Sequence, residues 1–151
     1  MKLNKLLIGI VFAILFTFSV TTSAQVNRPY SNGSVWVIGV IQVKPGMDTA
    51  YKNYLATDWK KQQEALKKEG IILSYCVIQT EMHSGTDWNM LLLSEYKDLA
   101  SYEASQAKAD SLAQTVVGDD AKQMQGYRDR LQIREVLGNR LARQINLEPK
   151  K

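Results

Sequence analysis

Three predicted strands of this 151-residue chain are apolar on both faces, and this pattern restricts the fold more than any other feature. Successive side chains alternate between the two sides of a strand. In segment 34–43, the odd-numbered valines and isoleucine point to one side, while Trp36 and Ile38 point to the other. Segments 71–79 and 88–96 are apolar on both sides as well. A strand of this kind must be covered on both faces, so the fold needs a layer on each side of its sheet.

Between the first two strands lies a segment with the pattern of an amphipathic helix. Asp48 is a candidate N-cap for a helix over 49–69, and apolar residues recur along it at helical spacing. Gly70 is expected to end this helix, because glycine favours the position after a C-cap. The polar turn over 80–87 is short, so the second and third strands are expected to form a hairpin.

The remaining third of the chain contains two more predicted helices and a strand in two parts. The helices are expected over 99–109, capped by Asp98, and from Asp119 and Asp120 to Arg130, and the strand segments over 131–137 and 140–147. Segment 111–118, between the two helices, is left unassigned. The dipeptide Gly138-Asn139 divides the last strand as either a β-bulge or a tight turn.

This element order predicts an α+β fold. The order β-α-β-β-α-β is that of the ferredoxin-like split βαβ arrangement, an antiparallel sheet with its helices on one face. The other face would remain uncovered although it is apolar, and a large apolar face in water promotes aggregation. We therefore expect a homodimer in which the sheets of two copies face each other and form a dimeric α/β barrel.

The N-terminal segment 1–24 has the three parts of a secretory signal peptide: lysines, an apolar run and small residues ending at Ala24. We expect an exported protein, periplasmic or extracellular, with a linker over 25–33, a domain over 34–147 and a tail over 148–151. The apolar run is short for a membrane span, and no cysteine follows Ala24, so no stable membrane anchor is expected after cleavage.

Charge and cysteine content exclude further classes. Lys2 and Lys5 are the only charged residues of the leader, so its removal lowers the formal net charge from +4 to +2. That charge argues against nucleic acid as a partner. The arginines of the C-terminal part are interspersed with acidic residues and indicate a solvated surface. Cys76, the only cysteine, lies in an apolar run, which favours a buried, inert thiol.

Several segments together resemble a known superfamily. They are the strand Val35–Val43, the Lys44-Pro45-Gly46-Met47-Asp48 step into a helix, the stripe from Tyr51 to Trp59, the strand Trp88–Tyr96 followed by Asp98, and Arg134-Glu135-Val136-Leu137-Gly138. In these segments the chain resembles the dimeric α+β barrel superfamily, which includes antibiotic-biosynthesis-monooxygenase-like and NIPSNAP-like proteins. The last segment is similar to secreted bacterial members without a known activity. The superfamily hosts many activities, so the resemblance implies a fold rather than a reaction.

The resemblance also suggests catalytic candidates. Cofactor-free oxygenases of the superfamily use Asn and Trp beside an apolar pocket, which indicates Asn89 and Trp88 here. Haem-degrading members use Asn, Trp and His, but the helix after Asp98 contains no histidine. His83 is the only histidine and lies in a polar turn. It could act as a general base or ligand, but an exposed, idle imidazole is the commoner case.

A second set of candidates could bind a ligand rather than react with it. Tyr54, Trp59 and Tyr75 are aromatic residues at helix or strand spacing, where core packing is the more frequent role. Glu95 and Arg134 are charged residues of apolar strands. They could form a structural ion pair, or hold a polar ligand near a cavity.

Three functions therefore stay open at the level of sequence, and whether the protein is an enzyme is one of the open points. The first is a homodimeric protein that binds a small apolar or aromatic ligand. The second is a cofactor-independent monooxygenase or isomerase that acts on a phenolic or polycyclic substrate. The third is a haem binder that uses His83. Nucleophile, phosphate-loop, dinucleotide and EF-hand motifs are absent from the sequence, so no metal and no cofactor is expected.

Overall fold

The computed structural model describes residues 29–81 and 84–147. The predicted leader 1–24, residues 25–28 of the predicted linker, His83 and the tail 148–151 lie outside the described residues. In chain order the elements are β1 (Ser31–Val43), α1 (Asp48–Tyr54), a π-helical segment (Leu55–Trp59), α2 (Lys60–Lys68), β2 (Ser74–Gln79), β3 (Met90–Tyr96), α3 (Leu99–Val116), α4 (Asp120–Leu131) and β4 (Arg134–Asn146).

The four strands form one antiparallel sheet in the order β2-β3-β1-β4. The neighbouring pairs β2–β3, β3–β1 and β1–β4 are all antiparallel. This is the predicted ferredoxin-like topology, and the predicted hairpin of the second and third strands is confirmed. The sheet is open, with β2 and β4 at its edges.

The core lies between the sheet and the helices. One buried cluster joins Ile41 and Val43 of β1 and Met90 of β3 to the first helix. A second cluster joins Val35 to Leu66, together with Ile71, Ile72 and Tyr96. The odd-numbered valines and isoleucines of β1 thus face the helices, as their alternation predicts. Burial of these side chains is the main stabilising contribution of the helical layer.

The first helix continues from α1 through the π-helical segment into α2 without a break. Its N-cap is Met47 and not Asp48, which instead occupies the first turn and forms an ion pair with Lys52 at 2.7 Å. A carboxylate in the first turn interacts favourably with the helix dipole, which accounts for Asp48 there. Gly70 has φ 68°, and its N–H donates to Lys67 O as a helix-ending glycine should, as predicted.

The last strand is continuous, so the predicted division into two strands is wrong. Val40 pairs with Gly138, whereas Ile41 pairs with Val136, which leaves Leu137 as one extra residue. Gly138-Asn139 therefore lies at a β-bulge and not at a turn. The bulge keeps both halves of β4 hydrogen-bonded to the same neighbour, β1.

Three other boundaries differ from the prediction. β1 begins at Ser31, within the predicted linker, because it also pairs with the end of β4. β2 begins at Ser74, because Ile71 and Ile72 enter the core directly after the helix. α3 runs to Val116, through the segment left unassigned. None of the helices in the described ranges combines the length and hydropathy that a bilayer span requires.

The face of the sheet opposite the helices is apolar at its centre, as predicted. We call its seven central side chains the open-face patch: Trp36, Ile38, Val40, Cys76, Ile78, Leu91 and Leu93. They are neighbours in the sheet, since Leu93 pairs with both Ile38 and Cys76. No described element covers them, and all are half-buried or exposed. The prediction of a buried Cys76 is wrong, because Cys76 lies on this face of an edge strand and is exposed.

Candidate functional site

A cleft of about 990 Å³ opens between the first helix and α4. Tyr54 and Asp58 form one wall, Tyr127 and Arg130 form the other, and the end of α3 adds Val117. The cleft lies among the helices, on the side of the sheet that they cover. Its size is in the range of small-molecule pockets. The cleft is therefore the candidate binding site.

The π-helical segment shapes the first wall. It spans Leu55–Trp59, and buries Leu55 and Trp59 in the core while Asp58 stays on the cleft. A π-helical turn inserts one extra residue per turn and changes which side chains face each way. Such turns are frequent at functional sites, because they persist only where the surroundings stabilise them. Here the segment directly follows Tyr54, the aromatic residue of the wall.

Five side chains meet at the base of the second wall, and we call them the arginine–tyrosine cluster: Tyr51, Tyr54, Tyr127, Arg130 and Arg134. The Arg130 guanidinium lies 4.5 Å from the centroid of the Tyr54 ring. The Arg134 guanidinium lies 5.7 Å from the Tyr51 centroid and 5.6 Å from the Tyr127 centroid. These are cation–π distances, and the rings thereby hold both guanidinium groups in place.

Glycine in α4 makes room for one of these contacts. A Cβ atom at Gly126 would lie 3.0 Å from Arg130 Nη1. Glycine within a helix costs about 0.5–1 kcal/mol relative to alanine. The close approach of the guanidinium gives a physical reason for this glycine in the middle of α4.

The cluster is positively charged and partly sealed from water. Arg134 is 7% exposed. Among the described residues, Nε and Nη1 of Arg134 and Nε of Arg130 are buried without a hydrogen-bond partner. Burial raises the pKa of Tyr51 to about 12, although Arg134 and Arg130 oppose the increase. Burial likewise raises the pKa of Tyr54 against the influence of Arg130. Both phenols are therefore neutral at pH 7 and leave the arginine charges uncompensated.

The aromatic candidates separate into one cleft residue and two core residues. Tyr54 lines the cleft and stacks on Tyr51, with ring centroids 5.8 Å apart. Trp59 is 9% exposed and meets Tyr75 edge-on at 5.4 Å. The Tyr75 hydroxyl donates to Glu64 Oε1, and this bond raises the pKa of Tyr75. Of the three, Tyr54 alone lies at the candidate site.

The predicted pairing of Glu95 with Arg134 is wrong. Glu95 pairs with Trp36 in the sheet, whereas Arg134 pairs with Val43 at the opposite end of β1. Seven residues of strand separate these positions, about 23 Å at the usual rise. The side chains also lie on opposite faces, because Glu95 Oε2 accepts from Ser74 Oγ at 2.6 Å on the open face.

The catalytic candidates Trp88 and Asn89 lie in the loop before β3, and both are half-buried. Asn89 Oδ1 accepts the backbone N–H of Val43 at 2.8 Å, and Asn89 Nδ2 donates to Val43 O at 3.4 Å. The Asn89 side chain therefore continues the sheet hydrogen bonding at the end of β1. Neither residue lines the cleft, and the third candidate, His83, lies outside the described residues.

Asn89→Ala should lower the free energy of unfolding by about 1–3 kcal/mol, because the buried N–H of Val43 loses its acceptor. Asn89→Asp keeps an oxygen at this position and should retain most of the stability. Urea unfolding followed by circular dichroism measures both variants. Equal stability of Asn89→Ala and the wild type would show that this hydrogen bond contributes nothing.

Sequence reasoning identified Tyr54 and Arg134 as ligand-binding candidates but missed the rest of the arginine–tyrosine cluster. Tyr51 was identified as part of the apolar stripe of the helix, but Tyr127 and Arg130 were not identified as site residues. The interpretation of the C-terminal arginines as a solvated surface is wrong for Arg134, which is buried. Tyr127 and Arg130 are three residues apart in α4, and this helical spacing is a signal that could have placed them on one face.

The donor set argues for an organic ligand at this site. Within residues 29–81 and 84–147, no three side chains of His, Cys, Asp or Glu converge as a metal site would require. The lining of the cleft instead combines two aromatic rings and three aliphatic side chains with six charged side chains and three glutamines. Such a lining offers apolar surface to a ring and polar groups that can orient a molecule bound there.

No protein-family model and no curated protein matches the sequence. Among solved structures, the chain is similar to a NIPSNAP family protein with unknown function from Agrobacterium tumefaciens, with a TM-score of 0.50 and 15% identity over 78% of this chain and 93% of that chain. HapK from Hahella chejuensis gives a TM-score of 0.48 and 9% identity over 73% of this chain and 91% of that chain. A dimeric protein of unknown function and ferredoxin-like fold from Bacteroides fragilis gives a TM-score of 0.39 and 17% identity over 74% of this chain and 95% of that chain.

The similarity to the Agrobacterium protein extends over nearly the whole of that chain, and it confirms the predicted ferredoxin-like fold. The likeness to a NIPSNAP family protein, expected from the sequence, thus holds at the level of the fold. At this sequence identity the comparison carries the fold alone, so the function must be argued from the cleft and the open face of this chain.

Proposed function

We propose that this protein is an exported homodimer that binds a small apolar or aromatic molecule in the cleft between its first helix and α4. The observation that carries the proposal is the cleft itself, with a volume of about 990 Å³ and aromatic residues on both walls. Tyr54 and Tyr127 offer ring faces, while Val116, Val117 and Met124 add aliphatic surface. Flat apolar ligands gain most from such surroundings.

Pairing of two copies is supported by the open-face patch. The polar groups at both of its ends are satisfied within the chain: Ser74 donates to Glu95, and Gln42 Nε2 donates to Gly85 O at 2.8 Å and Asp87 O at 2.9 Å. An apolar centre with a satisfied polar rim is typical of protein interfaces. A second copy brings an identical patch and needs no other partner. A light-scattering mass of a single chain would contradict the pairing.

Export is supported by the leader pattern of residues 1–24. The mature protein is then expected to begin at Gln25, and the intact mass of protein secreted from a bacterial host tests this. Retention of residues 1–24 would contradict export by signal cleavage.

Binding is favoured over cofactor-independent oxygenation because Asn89, the residue on which the oxygenase hypothesis depends, uses its side chain to bond Val43. The haem hypothesis depends on His83 and draws no support from the described residues.

The cleft is tested with a neutral aromatic probe, 2-naphthalenemethanol, by isothermal titration calorimetry. Tyr54→Ala should weaken binding at least about tenfold, because one wall loses its ring. Leu73→Ala is the control, since Leu73 is exposed and lies outside the cleft. It should bind the probe as the wild type does. Equal affinity of Tyr54→Ala and the wild type would exclude the cleft as the binding site.

A further inference from the structure

We infer that the arginine–tyrosine cluster is an anion subsite of the cleft, and that the ligand is an aromatic acid whose single carboxylate is bound by Arg130, while Arg134 adds positive charge from behind Tyr127. This inference rests on the proposed function, because it names the chemical class of the molecule bound there. It follows from three features of the cluster: uncompensated charge, charge balance across the cleft, and the nature of the walls.

The first feature is the absence of a counter-ion. In the described part of the chain, no carboxylate lies within 4.0 Å of either guanidinium. The tyrosine rings against which the guanidinium groups lie attract a cation but do not neutralise it. A buried charge is costly unless it is paired, so two neighbouring arginines without a partner create a strong demand for an anion.

The second feature is the charge balance of the cleft. Its lining contains three carboxylates, Asp58, Asp120 and Asp129, and three cations, Lys61, Lys122 and Arg130. These charges cancel, and Arg134 behind Tyr127 leaves one positive charge in excess. One carboxylate balances that charge, whereas the two negative charges of a phosphate group would exceed it and meet repulsion from the three aspartates.

Two of these aspartates already have partners. Asp120 Oδ1 accepts from Gln114 Nε2 at 3.2 Å, and Asp129 Oδ1 accepts from Gln125 Nε2 at 2.8 Å. Neither bond involves a cation, so the aspartates do not relieve the arginine charges. The arginines remain the cationic end of the cleft.

The third feature is the form of the walls. Arg130 lies against the face of Tyr54 at the edge of the cleft, and the ring continues the same surface. A carboxylate that reaches Arg130 therefore brings any attached ring beside Tyr54 and Tyr127. Guanidinium groups bind carboxylates through paired, charge-assisted hydrogen bonds, which fixes the orientation of the acid.

The test compares 2-naphthoate with its neutral counterpart 2-naphthalenemethanol by isothermal titration calorimetry on the whole protein. The wild type should bind 2-naphthoate at least about tenfold more tightly than the alcohol. Arg130→Met should remove most of this preference, and Arg134→Met should remove a smaller part of it, while the affinity for the alcohol stays within about twofold. Arg128→Met is the matched control, because Arg128 is an exposed arginine of α4 that does not line the cleft.

The outcomes separate the inference from the proposed function. If both probes bind the wild type equally, the anion subsite is overturned while the aromatic cleft stands. If neither probe binds, the proposed function fails as well. If the preference survives in Arg130→Met and Arg134→Met, or disappears in Arg128→Met, the assignment to these arginines is wrong. Inorganic phosphate should not displace 2-naphthoate at equal concentration, and displacement would overturn the choice of a monoanion.

Discussion

Leu93→Lys should convert the proposed homodimer into a monomer. Leu93 lies in β3 at the middle of the open-face patch, between Ile38 and Cys76. In the proposed dimer the symmetry places a lysine in each copy of the interface. Glu95, two residues along β3 on the same face, already accepts from Ser74 Oγ, so each ammonium group must give up its hydration without a free partner. We expect a cost of at least about 4 kcal/mol, which weakens the dissociation constant about a thousandfold.

Size-exclusion chromatography with light scattering, over a range of protein concentrations, measures this effect. Met124→Lys is the control: Met124 is also an exposed apolar residue, but it lies on α4, away from the sheet face. The control should remain dimeric. A wild type with the mass of one chain, or a Leu93→Lys variant that still pairs at micromolar concentration, would exclude the open face as the interface.

The fold could be predicted because its determinants are local. Alternating side chains of β1 define two apolar faces without knowledge of any neighbour. Helix starts are equally local: Asp98 accepts from the Ser101 N–H at 2.7 Å, as expected of a cap, and Asp119, at the predicted start of α4, accepts from the Lys122 N–H at 2.9 Å. Once the element order was known, the ferredoxin-like topology followed from a short set of connection rules.

The errors come from features that depend on register and on distant parts of the chain. Gly138-Asn139 indicated either a bulge or a turn, and only the pairing of β4 with β1 decides for the bulge and sets which residues lie opposite β1. Without the register, an ion pair between Glu95 and Arg134 was a reasonable prediction, although the two residues lie beside opposite ends of β1. The exposure of Cys76 follows from the position of β2 at the sheet edge, and strand order is a property of the whole fold.

The candidate site was harder to predict for a related reason. Tyr54 was identified from its helical stripe, but its partners come from α4, about 75 residues later in the chain. Arginine is usually exposed, so charge alone suggested a surface. The burial of Arg134 arises because α4 returns over the first helix and places Tyr127 on one side of the guanidinium and Tyr51 on the other.

The two faces of the sheet thus serve different purposes in the proposed function. The helical face supports the cleft and the arginine–tyrosine cluster, and the open face supports pairing. The two are separable by mutation, because Leu93 belongs to one face and Tyr54 to the other. A monomeric Leu93→Lys variant that still binds 2-naphthalenemethanol would show that each chain carries a complete cleft.

Trp59→Ala should lower the free energy of unfolding by about 3–5 kcal/mol. Trp59 ends the π-helical segment and packs in the buried cluster with Ile41, Val43 and Met90. Its edge-on contact with Tyr75 at 5.4 Å adds aromatic attraction to the burial. Truncation leaves a cavity the size of an indole beneath the helix, and a loss of this size is a large fraction of the stability of a single domain.

Trp59→Phe separates packing from ligand binding, because it keeps a ring in the cluster and should lose clearly less stability than Trp59→Ala. Urea unfolding followed by circular dichroism measures both variants. If Trp59 is a core residue, Trp59→Phe should change the stability and leave the affinity for 2-naphthalenemethanol unchanged. If Trp59 contacts the ligand, Trp59→Phe should change that affinity and leave the stability unchanged. Because Trp59 faces the sheet and does not line the cleft, we expect the first result. A stability loss below about 1 kcal/mol in Trp59→Ala would contradict its place in the core.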